Sequence, residues 1–149
     1  MRQAEVNRSY REAEIRGASS VECTIMLYEM AISDLRKAIQ CLGEGDIEGR
    51  TNALVHSLHV LEQLQGTLQM ESGGAAAKHL YGFYSLARAK ILEGQMKSRG
   101  RLLEEILEAM QRMQTIWKEV RESCQPARAG AAEAWMVAGE RSASGAWSA

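Results

Sequence analysis

The sequence predicts an all-α protein: an antiparallel up-down-up-down four-helix bundle with a flexible N-terminal arm and a mobile C-terminal tail. Three observations predict it. Leu, Ala, Glu, Arg, Met and Gln dominate a chain that is 46% apolar and 25% charged with a single proline, Pro126, and these are the strongest helix formers. Apolar residues recur at steps of three and four over four stretches of roughly 22 residues each. The breaks between those stretches are short and rich in glycine, which forces sequence neighbours to run antiparallel. A chain of 149 residues makes one domain with a core large enough to need no staples.

Residues 1–18 read as a polar N-terminal arm carrying Val6, Tyr10 and Ile15. After "GASS", Ser19 or Ser20 caps the first bundle helix, about 20–42, whose main stripe is Val21, Ile25, Tyr28, Ile32, Leu35, Ile39 and Leu42. "GEGD" closes it and opens the second at Asp46. That helix, about 46–70, places Ile47, Leu54, Leu58, Leu61 and Leu68 on one face, with Leu64 beside them. "ESGG" precedes the third, about 75–96, burying Ala76, Leu80, Phe83 or Tyr84, Ala87 and Ile91. "KSRGR" leads into the fourth, about 101–124, where Leu103, Ile106, Met110, Met113, Trp117, Val120 and Cys124 keep the alternating step. The bundle is thus 19–124, and residues 125–149 form a low-complexity Ala/Gly/Ser tail with one apolar patch, "AWMVAG" at 134–139.

Composition excludes several function classes. Lys plus Arg total 18 and Asp plus Glu 19, interspersed, so the clustered positive charge that nucleic acid requires is missing. The N-terminus is charged throughout and no run approaches the ~20 apolar residues of a membrane span, which predicts a cytoplasmic protein without membrane insertion. Cys23, Cys41 and Cys124 are odd in number and far apart, and read as small hydrophobes in a reducing compartment. A bundle di-metal centre needs paired Glu-x-x-His motifs, and none occurs. His56, His59 and Glu62 are spaced by three but oppose the leucine face, and His79 stands apart; all read as solvated polar positions. No nucleophile elbow or phosphate loop is present, so neither enzyme activity, metal nor cofactor is expected.

What the sequence holds in excess is apolar surface off the core stripes. On the first bundle helix Cys23, Met26, Leu27, Met30 and Cys41 lie roughly opposite Val21, Tyr28 and Ile39. Leu102, Ala109 and Ile116 widen the buried face of the fourth helix on one side and Leu107 on the other, while Val55, Val60, Tyr81, Leu86 and Leu92 do the same for the second and third. Each could be a bundle flank; together they predict a surface for an amphipathic partner, to which methionines adapt readily.

The same residues resemble a known family. "GASSVECTIMLYEMAISDL" at 17–35 resembles the first-helix signature of the flagellin export chaperones called FliS, in which the helix reads Met-Leu-Tyr, here Met26, Leu27 and Tyr28. "GDIEGRTNALVHSLHVLEQL" is similar to that family's second helix, with Asn52 two residues before Leu54. "ESGGAAAKHLYGFYSLARAKI" is similar to its third, where Gly-Gly precedes Leu80, Phe83 and Tyr84, and "TIWKEV" with Trp117 matches the end of the fourth. Departures are Ser20 for a proline, Met30 for a small residue, and Ile116 for an alanine before the tryptophan.

The resemblance implies a chaperone that binds the C-terminal segment of flagellin, prevents its premature polymerisation and delivers it to the flagellar type III export apparatus. Met26, Leu27, Met30, Asn52, Val55, Leu102, Leu107 and Ile116 are then the expected client contacts. Tyr28, Tyr84 and Trp117 are expected in the core with their polar ends at its rim, and Tyr10, on the arm, would cover an empty groove or contact the export gate. The alternative is a helical adaptor of the same fold with a different amphipathic client.

Overall fold

The computed structural model describes residues 2–124, and over them it is all-helical: α1 Arg2–Ile15, α2 Ser20–Glu44, α3 Ile47–Gly66, α4 Gly74–Lys97 and α5 Gly100–Cys124. The four predicted bundle helices correspond to α2 through α5. Among these, α2 packs against both α3 and α5, and α4 packs against the same two. Each long helix therefore has two long neighbours.

The predicted flexible arm is instead a helix lying against α3 and α2. Its stripe is short: Val6 and Ala13 are buried and Tyr10 is half-buried, at steps of four and three that put them on one side of a helix. Ile15 lies off that stripe and is 84% exposed.

Local chemistry sets the boundaries. The Ser19 hydroxyl accepts a hydrogen bond from the Glu22 backbone N–H at 3.1 Å, capping α2. α2 ends at Gly45, whose φ of 74° is left-handed and whose N–H bonds back to the last turn. Asp46 then caps α3 by accepting from the Gly49 N–H at 2.9 Å. A Cβ on Gly49 would stand 2.8 Å from the Cys41 sulfur, so glycine permits the start of α3 to press against the end of α2. α3 stops at Gly66 rather than 70, because the Thr67 hydroxyl donates to the Leu64 carbonyl at 2.7 Å and turns the chain. Leu68 therefore lies in the following turn, still packed against the core.

Tyr28, Leu35, Leu54, Leu61, Leu64, Tyr84, Ile91, Leu103 and Met110 are fully covered, as the stripes predict. Between Phe83 and Tyr84, it is Tyr84 that is buried, with Phe83 half-buried beside it. Ile47 is not on the core face: it is 67% exposed in the first turn of α3. The chief difference concerns α2, which is buried on two sides. Ile25, Tyr28, Ile32 and Leu35 are covered, and so are Cys23, Leu27, Ala38 and Cys41. Because α2 has both α3 and α5 as partners, its covered arc spans roughly 200° instead of one stripe.

Candidate binding surface

The eight expected client contacts divide by burial. Leu27 has no exposed surface, so in this arrangement it belongs to the packed interior rather than to a surface. Met26 and Met30 are half-buried at the edge of the core cluster, on the outer side of α2 away from Tyr28. Val55 is 37% exposed and Asn52 is exposed one turn earlier on α3. Leu102, Leu107 and Ile116 on α5 are half-buried. α3 and α5 flank α2, so the accessible candidates lie on three helices, with the two methionines of α2 on the middle one.

Beneath α1 a cavity of about 370 Å³ opens between the N-terminal turn of α2, the end of α3, α4 and α5. Tyr10, Glu14, Cys23, Leu68, Tyr84 and Trp117 are among its lining residues. Tyr10 thus faces the cavity. Its hydroxyl pKa is raised by burial first and by nearby Cys23 and Glu14 next. The Cys23 thiol is likewise pushed up by burial and then by Glu14 and Glu22, which holds it as an inert thiol rather than a reactive thiolate.

An aromatic group meets this cavity from inside. The Tyr28 and Tyr84 hydroxyls lie 2.8 Å apart in a buried hydrogen bond, with the rings edge-to-face at 6.2 Å between centroids. The Trp117 ring lies 6.4 Å from that of Tyr28. Burial drives the Tyr28 pKa far above the ordinary tyrosine range, hydrogen bonds from Tyr84 and Trp117 offsetting part of the rise. Tyr84 is raised in the same way, with Tyr28 adding to the effect. The two phenolic ends therefore do not reach the rim of the core as expected; they satisfy each other inside it.

Two polar features escaped the sequence reading. His56 Nδ1 contacts the Asp34 carboxylate across the α2–α3 seam. Arg50 is buried in the first turn of α3, its Nε donating to Gln95 Oε1 at 3.0 Å and Nη1 to Ser98 Oγ at 3.2 Å. Gln95 in turn donates to Thr51 Oγ1. This group ties the start of α3 to the end of α4. Its only sequence trace is an arginine among the residues flanking the α3 core stripe. Among the described residues no group of three or more His, Cys, Asp or Glu side chains is placed to hold a metal. No helix among them is long and apolar enough to cross a membrane.

Residues 2–124 match the family described as flagellar protein FliS, which spans every helix described above. The chain belongs to the FliS family. It is also similar to the flagellar secretion chaperone FliS of Salmonella typhimurium (strain LT2), at 24% identity over 110 residues, covering 73% of this chain and 82% of that protein. FliS membership places this chain among flagellar secretion chaperones. It also includes α1 in the shared unit, since the match begins at residue 2. The "AWMVAG" patch at 134–139 lies outside the described residues.

Proposed function

We propose that this protein is a non-enzymatic cytoplasmic export chaperone that binds the C-terminal segment of flagellin, prevents its premature polymerisation and delivers it to the flagellar type III export apparatus. The observation that carries the reading is the FliS match across the whole helical unit, residues 2–124. In this reading α2 to α5 form the antiparallel bundle, joined by connections of two, seven and two residues. Met26 and Met30 on α2, Asn52 and Val55 on α3, and Leu102, Leu107 and Ile116 on α5 contact the client, while Leu27 supports them from within.

The arm acts as a cover. α1 is held mainly by Val6, Ala13 and Tyr10, and each fully buried medium-sized apolar side chain contributes roughly 1.5–3 kcal/mol before ordering costs. A cover held that weakly can give way to a client that buries more surface. The client's own ordering cost keeps affinity moderate enough for release at the export gate.

A purified C-terminal flagellin peptide, titrated calorimetrically into the full chain, tests the proposal. Saturable binding at micromolar concentration, strengthened when residues 2–15 are deleted, is expected. No binding to either form would overturn the flagellin assignment and leave an adaptor of the same fold with another client.

A further inference from the structure

The cavity beneath α1, about 370 Å³, stays open with that helix in place. Helix ends surround it: Tyr10 and Glu14 come from the second half of α1, Ser20 and Cys23 from the start of α2, Leu68 from the turn after α3 and Trp117 from the last turns of α5. Its lining is mixed. The rings of Tyr10, Tyr84 and Trp117 with Leu68 give broad apolar walls, and the Glu14 carboxylate and Gln69 amide give polar ones. A carboxylate accepts more than one hydrogen bond. Such a lining fits an indole, a wide apolar ring with a single N–H, better than it fits an aliphatic chain or an ion. The volume lies near the lower end of ligand pockets, about 300 Å³, which suits one large side chain and its neighbour.

We propose that Trp135, in the "AWMVAG" segment at 134–139, fills this cavity. The chain supplies that occupant at the right end of the molecule. Cys124 follows Trp117 by seven residues, about 10 Å of helix rise, so the chain leaves α5 close to the cavity. The eleven residues from there to Trp135 span up to about 36–40 Å. Pro126 disfavours a continued helix that would carry the segment away along the α5 axis. Composition singles out the segment as well: between Gln125 and Ala149 the large apolar side chains are Trp135, Met136 and Val137 together and Trp147 alone. Trp147 has only small and polar neighbours, and its longer leash makes closure about threefold less favourable. Tethering lets weak contacts suffice. At an effective concentration on the order of 1 mM, a segment that would bind at only about 0.1 mM when free is docked about nine-tenths of the time. Tyr10 and Glu14 form one wall of the cavity, so docking also holds α1 in place. The inference does not depend on which client the chaperone carries.

Nuclear magnetic resonance of the full chain tests it. Of the indole N–H signals from the three tryptophans, Trp135→Ala removes one and so assigns it. In the parent that proton should exchange with water about tenfold more slowly than a free indole, as docking nine-tenths of the time requires. Trp135→Ala should also move the Trp117 indole signal and speed exchange of the α1 amides about tenfold, whereas Trp147→Ala should do neither. Ala18→Leu puts bulk into the cavity from the connection between α1 and α2, and should return the Trp135 indole to the free rate. A Trp135 indole that exchanges freely in the parent overturns the proposal. So does protection that Ala18→Leu leaves intact; if Leu86→Glu removes it instead, the segment lies on α4. Protection that falls on roughly tenfold dilution places the segment in a second copy and overturns it too.

Discussion

The Tyr28–Tyr84 pair offers the sharpest test of how the interior is held. Both rings are at most 1% exposed, and their hydroxyls bond to each other at 2.8 Å. Tyr28→Phe removes one hydroxyl without opening a cavity, because the ring is unchanged. It loses a net hydrogen bond worth about 1 kcal/mol and deprives the buried Tyr84 hydroxyl of a partner, a desolvation cost of about 1–3 kcal/mol when unrelieved. Trp117, which also interacts with these hydroxyls, relieves part of that. The single change should therefore destabilise by about 1–3 kcal/mol, and Tyr84→Phe by a similar amount. In the double variant neither hydroxyl is stranded, so it should cost less than the two singles summed, by about 1–2 kcal/mol of coupling. Urea denaturation of the four proteins, with equal slopes as the check on comparable unfolding, completes the cycle. Additivity within about 0.3 kcal/mol would refute the argument that each hydroxyl is the other's principal partner.

Three further outcomes are expected. Leu27→Ala should cost about 2–5 kcal/mol in denaturant, as for any fully buried leucine, whereas Met30→Asp should weaken flagellin-peptide binding at least about tenfold with little loss of cooperative stability; the reverse pattern would exchange the two roles. Tyrosine ionisation followed by ultraviolet difference spectroscopy should find Tyr28 and Tyr84 un-ionised until the protein unfolds. Their folded pKa values are raised, so the stability they contribute is complete below the ordinary tyrosine pKa of about 10 and is lost as pH rises through the folded values. Arg50→Met should lower stability by about 1–3 kcal/mol, since Gln95 and Ser98 each lose a charged donor, and hydrogen exchange should localise the loosening to the start of α3 and the end of α4.

The helical stripes were legible in the sequence because a buried face on a single-partner helix must repeat at 3.6 residues. α5 is the clearest case: Leu103, Ile106, Met110, Trp117 and Val120 are all buried. The same rule misled on α2. A helix with two substantial partners is apolar over a wide arc for internal reasons, so Leu27 and Cys23 looked like surplus surface when they are interior. Periodicity reports how wide an apolar face is, not what covers it. α1 was hidden by the opposite problem, since a stripe of Val6, Tyr10 and Ala13 among polar residues is too thin to predict a docked helix. The Arg50 group and the Asp34–His56 contact left almost no trace, because their partners are 45, 48 and 22 residues away in the chain.

This difference in width separates the surfaces of α2 and α4. On α2 the unburied apolar residues are few, half-buried and bordered by packed neighbours, so a ligand there gains by completing a face already mostly formed. Met26 and Met30 need little reordering to do so, which suits a client that must later leave. On α4, Leu86, Leu92 and Met96 are each more than half exposed, and covering them removes far more apolar surface per residue from water. If one ligand covered both faces, mutations on α2 and α4 would weaken the same binding curve; if α4 lies outside the client surface, Leu86→Glu leaves the flagellin titration where it was.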